Sequence, residues 1–261
     1  MQQKEFLKKE IFNRFDAITR ARNCFLYTKK GVRLTDLCQD GGSAILGWGS
    51  SKASLILKNV FNRGLTGFFH TEFEQNIQKA TSKLFKSERK VFIFSSKNLA
   101  LKAALNFSKE STSFYSPWLS ENTDFSKIDC IVFKVPFTWE NFFILAVKNQ
   151  IATKENESFQ DVSICAPLKA AIARAIYDLI AELPNRTEKD WFIYDKIITK
   201  YWQRKGPYLF PKVPEEKYND FILHCLDCNL VISPDYQTPS IVPFKADLGN
   251  FSKLKNNIFK F

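Results

Sequence analysis

At 261 residues, with 45% hydrophobic and 25% charged side chains, the chain can bury a substantial core and has the balance of a soluble globular protein rather than a disordered or collagenous one. Its longest apolar run, around residues 142–147, is far too short to cross a bilayer, and the opening MQQKEFLKKE is charged where a secretory leader is apolar, so a cytoplasmic protein with no membrane partner is expected. The formal net charge of +11 raises nucleic acid as a partner, but the lysines spread along the whole chain with no arginine-rich run or RNP-like aromatic motif, so a solvated basic surface is the expectation.

In chain order, residues 3–20 read as an amphipathic helix, with Phe6, Leu7, Ile11, Phe15 and Ile18 at helical spacing. A hairpin follows, in which Phe25-Leu26-Tyr27 and Val32-Arg33-Leu34 flank a turn that Gly31 suits. A glycine-rich irregular stretch covers 39–50, and helices are expected at 51–62 and 71–86. Residues 90–94, 129–135 and 142–147 read as strands and 98–108 as a helix. This alternation suggests a small, mostly parallel α/β sheet. Pro167 and Pro184 bracket a long helix, and Thr187 caps another expected to run to Gln203. The tail reads as a strand at 208–210, a helix at 215–228 and short strands at 231–232 and 240–243.

The six cysteines do not form a disulfide framework in such a chain. Cys225 and Cys228 make a single CxxC beside His224. With no second pair and only His70 as a further histidine, packing in a helix face is expected and no metal site. The glycine clusters Gly41-Gly42-Ser43 and Gly47-Trp48-Gly49-Ser50 match neither a P-loop nor a nucleophile elbow.

Three segments carry a resemblance. The first is CFLYTKKGVRLTDLCQDGGSAILG at 24–47, with Tyr27, Gly31, Arg33, Asp36 and Gly47 in a hairpin that leads to a glycine-bearing loop. The second is FIFSSKNLALKAAL at 92–105, a strand, a polar turn and a helix. The third is 206–244, preceded by the long helix. In this order they resemble fold-type I pyridoxal-phosphate-dependent aminotransferases of class III, over about half the chain. The resemblance implies an α/β fold-type I architecture with a reduced, mostly parallel large-domain sheet and a small α+β C-terminal domain. The pieces are an N-terminal helix and hairpin arm at 1–48, a large domain at 49–165, a linker helix at 166–185 and the small domain at 186–261. It also implies a homodimer, with a protein partner as a further expectation.

The same resemblance makes Ser95, Ser96, Lys97 and Asn98 the turn that would hold the cofactor phosphate. Free N–H groups and the helix dipole favour an anion at such a place. The family's turn is glycine-rich and this one has no glycine; a capped surface turn is the plainer expectation. The family also needs a lysine bonded to the cofactor, an acid on its ring nitrogen, and an arginine for the substrate carboxylate. Here Lys148 and Lys134 are the candidate amines and Asp129 the candidate acid, in the stretch after Asp124. No arginine follows Arg204, where Gln237, Thr238, Ser240 and Lys245 stand instead. The expectation is a shortened, catalytically inactive homologue with a binding or regulatory role and no cofactor. An active aminotransferase holding pyridoxal 5'-phosphate is the first alternative, and a basic nucleic-acid-binding protein the second.

Overall fold

The computed structural model describes residues 2–49, 51–67, 69–119, 123–152 and 162–261. The chain forms two compact units, one from 1–49 with 186–261 and the other from 50–185.

The first unit opens with helix α1 (Gln2–Phe15), whose Arg14 pairs with Glu10 and Asp227. The helix stops earlier than the expected residue 20. Asp16 takes a left-handed φ of 62° and Ile18–Arg22 becomes strand β1, paired antiparallel with β2 (Phe25–Thr28). The β-branched Ile18 and Thr19 suit a strand, and cross-strand pairing overrides the helical spacing. Strand β3 (Arg33–Asp36) completes the expected hairpin, with Gly31 at φ 78° in its turn.

In the second unit, helices α2 (Ser51–Asn62) and α3 (Asn76–Phe85) precede strand β4 (Arg89–Phe94). Helix α4 (Lys97–Phe107) and strands β5 (Thr112–Tyr115), β6 (Cys130–Lys134) and β7 (Phe143–Lys148) follow, then helix α5 (Ala166–Glu182). The sheet order is β4-β7-β6-β5. Strands β4, β5 and β6 point the same way, with β5 and β6 paired parallel, and β7 alone is reversed, antiparallel to both of its neighbours. Two of the three pairings are therefore antiparallel, where a mostly parallel sheet was expected. The segment 135–142 turns straight back, with the Val135 N–H donating to the Phe142 carbonyl, and is too short for the crossover a parallel neighbour requires.

One face of this sheet, from Phe92, Phe94, Cys130, Val132, Phe143, Leu145 and Val147, packs on α4 through Ala100, Ala103, Ala104 and Phe107. Three alanines let the helix axis lie close to the strands. On the other face the Phe85 ring meets Tyr115, Phe125 and Phe133. Helix α5 was expected to be a linker. It is instead an internal element of this unit, buried along most of its length and packed on α2 and α3. An alanine-rich helix with little polar surface needs cover on all sides.

Arg89 begins β4 fully buried. Its guanidinium donates to the Ser87 hydroxyl at 2.8 Å and to the carbonyls of Phe125 (2.8 Å), Ile128 (2.7 Å), Asp129 (3.1 Å) and Ala146 (3.3 Å). It ties the start of β4, the end of β7 and the turn before β6 to one point.

The remainder of the first unit contains helices α6 (Glu188–Phe192) and α7 (Asp195–Ile198), strands β8 (Trp202–Lys205) and β9 (Tyr208–Pro211), and helix α8 (Tyr218–Asp227). Strands β10 (Leu230–Val231) and β11 (Ser240–Ile241) and helix α9 (Ser252–Asn256) complete it. The single helix expected over 187–203 is therefore two short ones and a strand. Arg204 forks onto both Asp195 oxygens, at 2.6 and 2.9 Å, and β8 pairs with β9. That long-range pairing has no local signature. Strand β10 adds parallel to β3, so the segment expected to be a separate N-terminal arm shares a sheet with the C-terminal segment.

Candidate functional site

The polar turn expected to hold a phosphate lies at the C-terminal end of β4. Ser96 is extended (φ −148°, ψ 152°) and its hydroxyl accepts the Leu99 N–H at 3.3 Å, so it caps α4. Ser95, Lys97 and Asn98 are exposed. The Lys97 ammonium lies 4.3 Å from the Phe114 ring centre, which keeps it on an aromatic face beside the helix start.

Strand register decides which candidate amine shares this end of the sheet. Phe94 and Lys134 both stand opposite Phe143, so Lys134 and the turn flank the same end of β7. The Lys134 ammonium donates to the Asn141 side chain and sits 4.9 Å from the Phe143 ring centre. Phe114 and Phe143 are 6.4 Å apart. Lys97 and Lys134 thus bracket two neighbouring rings.

Lys148 stands opposite Arg89, at the other end. Five strand residues separate the two positions, roughly 17 Å along the sheet. There its ammonium donates to the Lys127 carbonyl at 2.7 Å and pairs with Asp129 at 3.2 Å. Asp129, the candidate acid, is committed to this pair and is hydrogen-bonded by Ser108. Asp124 binds the Ser126 N–H and hydroxyl, capping the turn before β6. The structure therefore brings Ser95, Ser96, Lys97, Asn98 and Lys134 to one end of the sheet and Lys148 and Asp129 to the other.

The C-terminal polar residues serve a turn. Asp235 accepts the Gln237 N–H and the Thr238 hydroxyl, and the Ser240 hydroxyl accepts the Ser233 N–H. Lys245 has φ 63° with its ammonium 5.1 Å from the Phe244 ring centre. Cys225 is buried in the core, where burial pushes its thiol well up, and Cys228 lies 3.9 Å from His224. His70 is exposed. Among the described residues no group of three or more His, Cys, Asp and Glu could hold a metal ion, and no helix is long and apolar enough to cross a membrane. A groove of about 760 Å³ runs along α3, lined by Gln75, Lys79, Ser82, Lys83 and Lys86 among others, and contains none of the expected site residues.

Besides Arg89, two further charges are buried among the described residues: Asp36, expected only as part of the hairpin segment, and Arg186, which carried no expectation. Asp36 is fully buried and accepts the N–H groups of Cys38 (2.9 Å) and Gln39 (3.0 Å) and the Trp48 indole (2.6 Å). It holds both ends of the glycine-rich stretch, and burial lifts its carboxyl to about 6 against those donors. Arg186 donates to the Ile45 carbonyl at 2.8 Å and stacks 4.1 Å over Phe244. An Asp before a Gly-Gly loop is a legible capping signal; the arginine's partner, far away in sequence, is not.

No family model matches the chain. It is 28% identical to an uncharacterized protein of Treponema pallidum over 92% of each chain, and 24% identical to an uncharacterized protein of Borreliella burgdorferi, covering 94% of this chain and 91% of that one. Among solved structures it is similar to ornithine aminotransferase from Toxoplasma gondii (TM-score 0.67, 9% identity, 97% of this chain and 93% of that one). It is also similar to acetylornithine aminotransferase from Elizabethkingia anophelis (TM-score 0.66, 12% identity, 97% of each) and to Plasmodium falciparum ornithine delta-aminotransferase (TM-score 0.66, 11% identity, 97% and 96%). At such identities the likeness is one of fold: the chain has an α/β fold similar to that of these aminotransferases.

Proposed function

We propose that this chain is a catalytically inactive aminotransferase-fold protein with a binding or regulatory role. The observation that carries the reading is the Lys148–Asp129 pair, at the opposite end of the sheet from the Ser95–Asn98 turn. A cofactor held by its phosphate at α4 needs an amine and an acid at the same end, and these two neutralise each other elsewhere. The turn itself fits pyridoxal phosphate poorly. The Ser96 hydroxyl is spent on its own helix, and no glycine lets the backbone close on an anion.

One observation favours the active alternative: Lys134 shares the sheet end with the turn. The two readings separate in one experiment. The protein is incubated with one equivalent of pyridoxal phosphate, dialysed, reduced with borohydride and mapped by peptide mass. No retained visible band and no stoichiometric adduct are expected. A stoichiometric reduced adduct on Lys134 refutes the inactive reading and restores transamination. A cytoplasmic homodimer with a further protein partner completes the proposal, the dimer being what the resemblance to the aminotransferase family implies.

A further inference from the structure

Nine arginines occur in the chain, and six are spoken for. Arg14, Arg63, Arg174 and Arg204 pair with carboxylates, and Arg89 and Arg186 are buried on carbonyls. The other three, Arg20, Arg22 and Arg33, are exposed and in no ion pair among the described residues. They converge on one face of the β1–β2–β3 meander. Register sets Arg20 opposite Tyr27, Tyr27 opposite Arg33, and Arg22 opposite Phe25. The Arg20 guanidinium lies 5.5 Å from the Tyr27 ring centre and that of Arg33 4.5 Å from Phe25. Among the described residues, the one hydrogen bond this trio makes to another side chain is from Arg33 to Asn250, a neutral group.

We propose that this face binds single-stranded nucleic acid. Three uncompensated guanidinium groups on a protein of net charge +11 favour a polyanion. Two half-buried aromatic rings alternating with them supply faces on which bases stack, as the guanidinium planes themselves do. A sheet face of paired strands suits splayed bases and offers no helix to enter a duplex groove. The inference goes beyond the proposed function and holds whether or not the α4 turn binds a cofactor.

The test is fluorescence anisotropy of the full chain with a labelled uridine oligomer of about 20 nucleotides at 50 and 200 mM salt. Three phosphate contacts predict a log–log salt slope of about −2, hence roughly 20-fold weaker binding at the higher salt. The triple variant R20Q/R22Q/R33Q is expected to bind at least about tenfold more weakly with a slope near zero. Tyr27→Leu, which keeps an apolar body in the strand, is expected to lose about tenfold with the slope unchanged. The variant K79Q/K83Q/K86Q removes the same charge along α3 and is expected to stay within about twofold of the parent. Circular dichroism confirms that each variant is folded. The proposal is overturned by no binding at 50 mM salt, by equal losses in the arginine and lysine variants, or by duplex binding as tight as the single strand. Arginine-dependent binding to phosphatidylserine vesicles without oligomer binding overturns it in favour of a membrane surface.

Discussion

Replacing Arg89 with methionine keeps most of the aliphatic volume and deletes the guanidinium from the interior of the second unit. Four carbonyls, from Phe125, Ile128, Asp129 and Ala146, lose a donor inside the protein, and no carboxylate is among the partners to be left charged. Burial alone disfavours the cation and draws Arg89 down to about 10, so the gain on removing a buried charge partly offsets the loss. An unmet buried acceptor costs on the order of 1 kcal/mol or more, so the four together cost about 4 kcal/mol, a large share of the roughly 5–15 kcal/mol that holds a domain together. Lysine supplies one ammonium in place of a planar fork and meets only some of these acceptors, so Arg89→Lys should lose about half as much. Native-state hydrogen exchange followed by mass spectrometry reads the two units separately. Amides of β4, β6 and β7 should exchange about a thousandfold faster in the methionine variant, while those of β1–β3 keep their rates. A loss under about 1 kcal/mol, or equal acceleration in both units, refutes the account of Arg89 as the tie for this sheet.

The first unit provides two further tests. The Asp36 carboxyl is raised from 3.8 to about 6, so the native state binds its proton more readily than the unfolded chain. Its contribution is fully present below about pH 4 and is lost as pH rises through 6, amounting to at most about 3 kcal/mol. Melting temperatures measured from pH 4 to 7 should fall over that range in the parent and stay level in Asp36→Asn; a level parent profile contradicts the assignment. Gly47 has φ 96°, and a methyl group there would come within 3.3 Å of the Asn23 Cα at the bridge to Trp48. Gly47→Ala should therefore cost about 1–3 kcal/mol by denaturant titration, and an unchanged midpoint excludes that close approach.

Features with a local cause could be read along the chain. Gly31 announced its hairpin turn and Pro167 and Pro184 the bounds of α5, because each depends on residues within a few positions, whereas α4 starts at Lys97 with Ser96 as its cap, one residue before the start expected at 98. The strand Thr112–Tyr115 was also legible, as a run of β-formers before Pro117, and was missed. Apolar runs look alike whichever way they point, and the one legible sign of direction, a segment at 135–142 too short for a parallel crossover into β7, was missed. The candidate site suffered the same loss. The resemblance offered Lys134 and Lys148 alike as candidate amines, and register set them at opposite ends of the sheet.

By itself, then, the sequence determined elements with a local cause, such as the Gly31 turn, the capped turn at 95–98 and the bounds of α5, through short-range sterics and hydrogen bonding, and the order of three segments carried the resemblance to an aminotransferase fold. Tertiary structure alone decided which charges meet. It buried Arg89 on carbonyls, spent Asp129 on Lys148 and gathered Arg20, Arg22 and Arg33 onto one face. Electrostatic partnership acts through space and falls off over a few ångströms, a distance that separation along the chain does not encode.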